Sequence, residues 1–243
     1  MSATSWQALS SHPEVHHARY LVPNFASNSI AINTAPQQWL VISPGASVLD
    51  EWPGAGQAPD QAQAQTENKL ELSIILPNSF HYMGVSAWQA RYPQAKLYAS
   101  RHAIARLSSK GLHGIHALEE QQPLLPANYS FKIPPGHRGG DVWLCKTGVA
   151  EPLWITCDSF LNYARFSRQP VARLLQKALD AAPGLKISQV VKWFIMDQRQ
   201  DFKAWALAQL SADQPQWLIP SHGEVAHQTE LAQHLRQLLE TRL

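Results

Sequence analysis

The chain has 243 residues, 45% of them hydrophobic and 16% charged, with a formal net charge of +2. That length accommodates one large domain or two small ones with a full core, and the composition excludes disorder over most of the chain. Lys and Arg are scattered without a dense basic run, so no nucleic-acid partner is expected, and nine Trp with 17 Pro point to a fold rich in strand ends and turns.

In chain order, Val15–Val22 and Ser29–Asn33 read as strands, and Trp39–Ser43 follows a turn at residues 35–37. Pro44-Gly45 stops that strand. Residues 50–68, DEWPGAGQAPDQAQAQTEN, read as an exposed, mobile low-complexity loop, with a short helix over AQAQTEN as the alternative. Leu70–Leu76 is the next buried strand. Ser86–Arg91 and Arg101–Ser108 have helical composition on either side of a short strand, Lys96–Ala99. Tyr129–Ile133, Val142–Thr147 and Leu153–Cys157 are strands again. Pro170–Ala181 is an amphipathic helix, with Val171, Leu174, Leu175 and Leu179 at helical spacing. Ile187–Met196 and Phe202–Leu210 read as helices, Trp217–Ile219 as a last strand, and Thr229–Leu239 as a closing helix. No internal repeat and no linker divides the chain. A single domain over 1–243 is expected, with two packed sheets flanked by helices.

Cys145 and Cys157 are too few for a disulfide scaffold, and each sits in an apolar strand-like run where a thiol acts as a small core residue. The amino-terminal stretch has neither a basic start nor an apolar run of signal-peptide length. No segment approaches the roughly 18–20 apolar residues that span a bilayer. A cytoplasmic setting and no membrane partner are therefore expected.

Four apolar runs end on residues of the metal-ligand type: LELSIILPNSF before His81, SFKIPPG before His137, PLWITC before Asp158 and QWLIPS before His222. Strands that stop at one rim of a sheet system bring such side chains together, and three imidazoles with one carboxylate suit zinc or iron. Each residue also has a plainer reading. His222 before Gly223 fits a strand-to-helix turn, with its ring satisfied by a backbone carbonyl. His137, among Gly136, Gly139 and Gly140, fits a loop. His81 fits a buried, hydrogen-bonded imidazole, and Asn78 fits a turn better than a ligand shell. Asp158 is the hardest to explain without a ligand, since a carboxylate ending an apolar strand is costly unless paired; its other role is to cap a turn through Ser159. His12, His16, His17, His102, His113, His116, His227 and His234 show no ligand spacing and read as surface or core. There is no Gly-x-Ser-x-Gly elbow, and Gly54-Ala-Gly56 opens neither a dinucleotide fingerprint nor a phosphate loop.

Four motifs in register carry a family resemblance. Asn28-Ser-Ile-Ala-Ile-Asn33 followed by Trp39-Leu-Val-Ile-Ser-Pro-Gly45 resembles the opening strands and Asp-Pro-Gly turn of the metallo-β-lactamase fold superfamily. Gly136-His137-Arg-Gly-Gly140 resembles its Gly-His segment, Leu153-Trp-Ile-Thr-Cys-Asp158 its strand bearing the metal-bridging Asp, and Ile219-Pro-Ser-His222-Gly223 its late Pro-x-His-Gly. The likeness runs from about Val15 to the carboxyl end. It implies an α+β fold, a four-layer αββα sandwich of two mixed sheets, with a metal site at one sheet edge. The family's Thr-His-x-His-x-Asp-His motif is reduced here to Leu76-Pro77-Asn78-Ser79-Phe80-His81, with Phe80 where the motif has its Asp. The resemblance thus implies one zinc or iron ion rather than two, held among His81, His137, Asp158 and His222, with Asp158 left to activate water.

The resulting expectation is a mononuclear metal-dependent hydrolase of a small ester, thioester, lactone or phosphoester. One alternative is a pseudo-enzyme of the same fold that binds a ligand or partner without hydrolysis, and a third reading is an iron-dependent redox protein. A small-molecule ligand or substrate is the expected partner. A helical cover segment is expected over residues 160–211, with Tyr82, Trp88, Tyr163 and Trp193 as pocket aromatics or core residues.

Overall fold

The computed structural model describes residues 5–22, 25–57 and 70–243. Its contacts separate into two compact units, Met1–Pro126 and Ala127–Leu243.

The first unit is built on a seven-stranded sheet whose strands lie in chain order. They are β1 (Gln7–Leu9), β2 (His12–Val22), β3 (Phe25–Ala35), β4 (Gln38–Ile42), β5 (Glu71–Ile75), β6 (Lys96–Ala99) and β7 (Ile115–Ala117). The first four run antiparallel as a meander, and β4 to β7 run parallel. Two helices, α1 (Val85–Arg91) and α2 (Arg101–Ser108), make the crossovers from β5 to β6 and from β6 to β7. The spans read from the sequence for β6 and α2 match, whereas β2 and β3 are longer than expected and β1 and β7 were not anticipated. Those two have only three residues each, too few to show a period.

The core of this unit is aromatic. Trp52 meets Trp39 edge-on at 5.4 Å and Trp88 at 5.2 Å, and its indole N–H donates to the Tyr92 hydroxyl at 2.7 Å. Trp52 is 2% exposed, so the start of residues 50–68 is anchored in the core rather than an exposed loop. A short 3-10 turn follows at Ala55–Gln57; residues 58–68, with the AQAQTEN alternative, lie outside the described residues. The Pro44-Gly45 turn is pinned by Ser29, whose hydroxyl donates to the Ser43 carbonyl at 2.6 Å and accepts from the Gly45 N–H at 2.8 Å. That explains a buried serine in the middle of an apolar strand.

The second unit carries two sheets. The larger has the order β15-β13-β10-β9-β8, from β8 (Tyr129–Lys132), β9 (Trp143–Lys146), β10 (Leu153–Ile155), β13 (Trp217–Ile219) and β15 (Ala226–His227). The smaller has the order β12-β11-β14, from β11 (Leu161–Tyr163), β12 (Gly184–Lys186) and β14 (His222–Gly223). β10 and β13 are buried along their whole length, as expected of strands covered on both faces. Helix α4 (Arg199–Asp213) buries Phe202, Ala206 and Leu210 at four-residue spacing, and α5 (Leu231–Arg242) buries Leu231, Leu235, Leu238 and Leu239. These residues and Trp143, Trp154 and Phe160 belong to one core cluster.

Two expectations change here. The segment 160–211 is not uniformly helical, since it contains strands β11 and β12 and only a five-residue π-type turn, Val191–Ile195, where a helix over Ile187–Met196 was expected. Helix α3 (Pro170–Ala178) forms where predicted but buries no residue at all.

Cys145 is fully buried, and burial pushes its thiol well above the usual range. Beside it the Asp213 carboxylate takes the Lys132 ammonium at 2.5 Å and the Trp154 indole N–H at 2.8 Å. Both members of the ion pair are largely shielded, so removing one leaves the other without its charge partner. Replacing Lys132 by methionine is expected to lower stability by about 2–3 kcal/mol, below the range for fully buried pairs because the lysine keeps some exposure. Urea denaturation checks this, and an unchanged midpoint would mean that water already satisfies Asp213.

Candidate metal centre

The geometry of the second unit follows from strand register. β10 and β13 are parallel neighbours with Ile155 opposite Ile219. Three residues on, the chain reaches Asp158 in one strand and His222 in the other. The pairing is carried past the strand ends, with the Thr156 N–H donating to the Ile219 carbonyl at 3.0 Å and the Ser221 N–H to the Cys157 carbonyl at 3.2 Å. The two side chains therefore emerge together, with Asp158 Oδ1 3.3 Å from His222 Nε2. β9 runs antiparallel to β10 with Leu144 opposite Ile155, so extending the register places Asp141 opposite Asp158. Ligand-type atoms of Asp141, Cys157 and Asp158 all lie within 4.8 Å of one another.

His137 and Asp141 form a separate arrangement beside this group. The His137 ring is buried, its Nδ1 accepts from the Gly139 N–H at 3.2 Å, and its Nε2 lies 3.2 Å from Asp141 Oδ1. A lone pair on Nδ1 puts the proton of a neutral imidazole on Nε2, which makes no hydrogen bond among the described residues. The other oxygen of Asp141 accepts from the Ser159 hydroxyl at 2.7 Å, and Ser159 also takes the Trp143 indole N–H at 3.3 Å. His137 thus stands beside Asp141 without a hydrogen bond to it, and its position does not join the Asp158–His222 pair directly. Gly136 is what lets the loop turn so tightly. Its φ is +69°, and an added Cβ would come within 2.8 Å of the Gln198 carbonyl oxygen.

His81 belongs to the first unit. It follows β5 through a turn in which the Asn78 carboxamide oxygen accepts the N–H groups of Phe80 at 2.8 Å and His81 at 3.2 Å. Asn78 is the turn residue expected of it. The His81 Nδ1 sits 2.9 Å from the Ser43 hydroxyl, which is itself 2.9 Å from the Tyr20 hydroxyl. This chain of hydrogen bonds fixes the orientation of the ring. The Phe80 ring packs beneath the Arg106 guanidinium, 4.5 Å from its centroid, so this position has taken up a surface cation–π contact.

Of the expected pocket aromatics, Trp88 is a core residue donating to the Gly45 carbonyl at 3.0 Å, and Trp193 is exposed. Asp141 and Cys157 are the residues that strand-end reading missed or set aside. The signal for Asp141 was available: it precedes an apolar strand by the same interval at which Asp158 follows the next one. Cys157 is fully buried, which drives its thiol well above the ordinary range, and the nearby Asp158 and Asp141 carboxylates add to this. It takes a hydrogen bond from the Ser221 hydroxyl at 3.3 Å. Such a thiol is not a nucleophile near neutral pH.

The donor set fits a metal ion. Two ligands on one tetrahedral ion with bonds of about 2.0–2.1 Å stand about 3.3 Å apart, and Asp158 Oδ1 and His222 Nε2 have that spacing.

No family model matches the chain, and no curated protein matches it in sequence. Solved structures do match in shape. A metallo-β-lactamase from Hirschia baltica is similar with a TM-score of 0.60 at 12% identity, over 98% of this chain and 98% of that one. The metallo-β-lactamase FIM-1 from Pseudomonas aeruginosa in its mono-zinc form is similar with a TM-score of 0.53 at 17% identity, over 99% of this chain and 96% of the other. The Flv1 flavodiiron core from Synechocystis sp. PCC6803 gives 0.58 at 16% identity, covering 99% of this chain and 62% of its counterpart. The chain has the metallo-β-lactamase fold, as the four sequence motifs implied. At these identities the likeness establishes the fold and leaves the activity to be argued from the site.

Proposed function

We propose that this protein is a mononuclear metal-dependent hydrolase of a small ester, thioester, lactone or phosphoester. The observation that carries the reading is the Asp158–His222 pair, held by register at the spacing of two ligands on one ion. The sequence resemblance assigns a further ligand to His81, whose ring is oriented by Ser43. Zinc or iron, when bound, supplies Lewis acidity toward a carbonyl or phosphoryl oxygen. Asp158 is the candidate catalytic residue, taking a proton from water at its second carboxylate oxygen, because Phe80 has no acceptor to offer. Asp141, which accepts from the Ser159 hydroxyl, adds negative charge next to Asp158 and favours proton transfer to it.

Metal analysis of protein purified without chelator tests the reading, with close to one equivalent of zinc or iron expected together with turnover of at least one small-molecule class above. A chain free of metal that does not rebind either ion would overturn it. A second reading, iron-dependent redox chemistry, draws on the flavodiiron likeness. It requires iron and is eliminated by full activity in an iron-free preparation.

A further inference from the structure

Among the described residues, most of the large exposed hydrophobic side chains fall in one stretch of the second unit. Val171, Leu174 and Leu175 of α3 are 73%, 67% and 52% exposed, and Trp193 and Phe194 are 56% and 66% exposed. In a water-facing helix such residues would be polar. Here Val171, Leu174, Leu175 and Ala178 form an apolar stripe on a helix that buries nothing. The two parts of the patch are tied together: the Gln189 N–H donates to the Leu179 carbonyl at 2.8 Å, and the Trp193 indole N–H donates to the Gln189 carboxamide oxygen at 2.8 Å. On the other side of the helix, the Gln176 carboxamide oxygen accepts the Ser167 N–H at 2.6 Å, which ties residues 165–168 to it.

The charge along this stretch is predominantly positive. Between residues 165 and 199 the cations are Arg165, Arg168, Arg173, Lys177, Lys186, Lys192 and Arg199, and the anions are Asp180 and Asp197. Both anions are engaged, Asp180 by Lys186 and Arg242 and Asp197 by Arg138. Several cations lie on aromatic rings: Arg199 is 4.2 Å and Lys192 5.3 Å from the Trp193 ring centroid, and Lys177 is 5.6 Å from that of Phe166. Exposed Leu, Trp and Phe among Arg and Lys make the pattern of a helix that lies in a lipid–water interface. A second copy of the chain is a poor occupant, because a two-fold contact would press this cationic patch against itself.

We propose that the surface formed by α3 and residues 189–194 docks on an anionic lipid bilayer, with the Leu and Trp side chains in the acyl boundary and the flanking Arg and Lys at the headgroups. This goes beyond the proposed hydrolase reading and does not depend on it. Such a helix needs amphipathicity rather than span length, which is why the lack of a spanning segment does not bear on it. Among the described residues no helix is long and apolar enough to cross a membrane.

Sedimentation of the full chain with vesicles tests the proposal. Phosphatidylcholine vesicles containing phosphatidylserine are expected to pull the protein down, with binding weakened by salt, while vesicles of phosphatidylcholine alone bind much less. Leu174→Ser with Leu175→Ser is expected to cut the affinity more than tenfold, and Arg168→Glu, Arg173→Glu and Lys177→Glu together to remove the preference for phosphatidylserine. These side chains are exposed, so the variants keep their melting temperature, and bound metal and any hydrolysis of a water-soluble substrate remain unchanged. No binding to either vesicle type, or equal binding to both, overturns the proposal. So does a dimer in light scattering that Leu174→Ser with Leu175→Ser dissolves, since the patch would then be a contact between copies.

Discussion

Replacing His222 by alanine is expected to weaken metal binding by more than a hundredfold. Loss of an outer hydrogen-bond partner already costs a metal site roughly 10–100-fold, and His222 is placed to ligate directly. The effect is local, because His222 is partly exposed and its neighbours in β14 keep their pairing to β11 through the backbone. The informative readout is therefore thermal. A bound ion stabilises the folded protein by about 2.7 kcal/mol at one hundred times its Kd, so added zinc raises the melting temperature of the native chain and leaves that of the variant unmoved. Asp158→Asn keeps the side-chain shape and removes the charge, and is expected to behave in the same way. A zinc-dependent shift that survives in both variants would show that the ion binds elsewhere. A chain whose biological role persists in His222→Ala would be the pseudo-enzyme of the competing reading.

The second large effect comes from a backbone position. Gly223 has φ of +106°, a region open to glycine and strained for any other residue. A Cβ there would stand 2.0 Å from the Asn162 carbonyl oxygen, which is held in place by the Glu224 N–H at 2.5 Å. The Asn162 carboxamide returns a hydrogen bond to the Glu224 carbonyl at 2.9 Å, so neither strand can step aside alone. Strain of about 1–3 kcal/mol adds to overpacking of about 1–3 kcal/mol. Gly223→Ala is thus expected to destabilise the protein by about 2–6 kcal/mol and to loosen metal binding by moving His222. Gly148→Ala is the control: its φ is +70°, yet nothing lies within 4 Å of the added Cβ. It is expected to cost only about 1 kcal/mol and to leave metal binding intact. Equal losses in the two variants would mean that the contact with Asn162 gives way easily.

Both effects concern elements whose existence was hard to read along the chain. β14 has two residues and pairs with β11, some sixty positions away, so no local period announces either strand. The long helices α4 and α5 and the buried strands β10 and β13 were legible because their apolar residues recur at fixed spacing over enough positions, or run unbroken. Helix α3 was legible as an amphipathic helix, but the exposure of its apolar stripe was not. Periodicity reports that one side is apolar and is silent on what covers it.

The same division holds for the site. The order of Gly-His, strand-Asp and Pro-Ser-His-Gly motifs was enough to identify the fold, because strand ends and tight turns demand particular residues where they occur. It was also enough to show that Phe80 stands where an acidic ligand was expected, and Arg106 gives that phenylalanine a different use. What only the tertiary structure decided is which ligand-type residues share a space. Parallel register between β10 and β13 pairs Asp158 with His222, antiparallel register from β9 adds Asp141, and the Gly139 N–H holds the His137 ring beside Asp141. Those relations depend on the pairing of strands distant in sequence, which residue spacing along one segment does not encode.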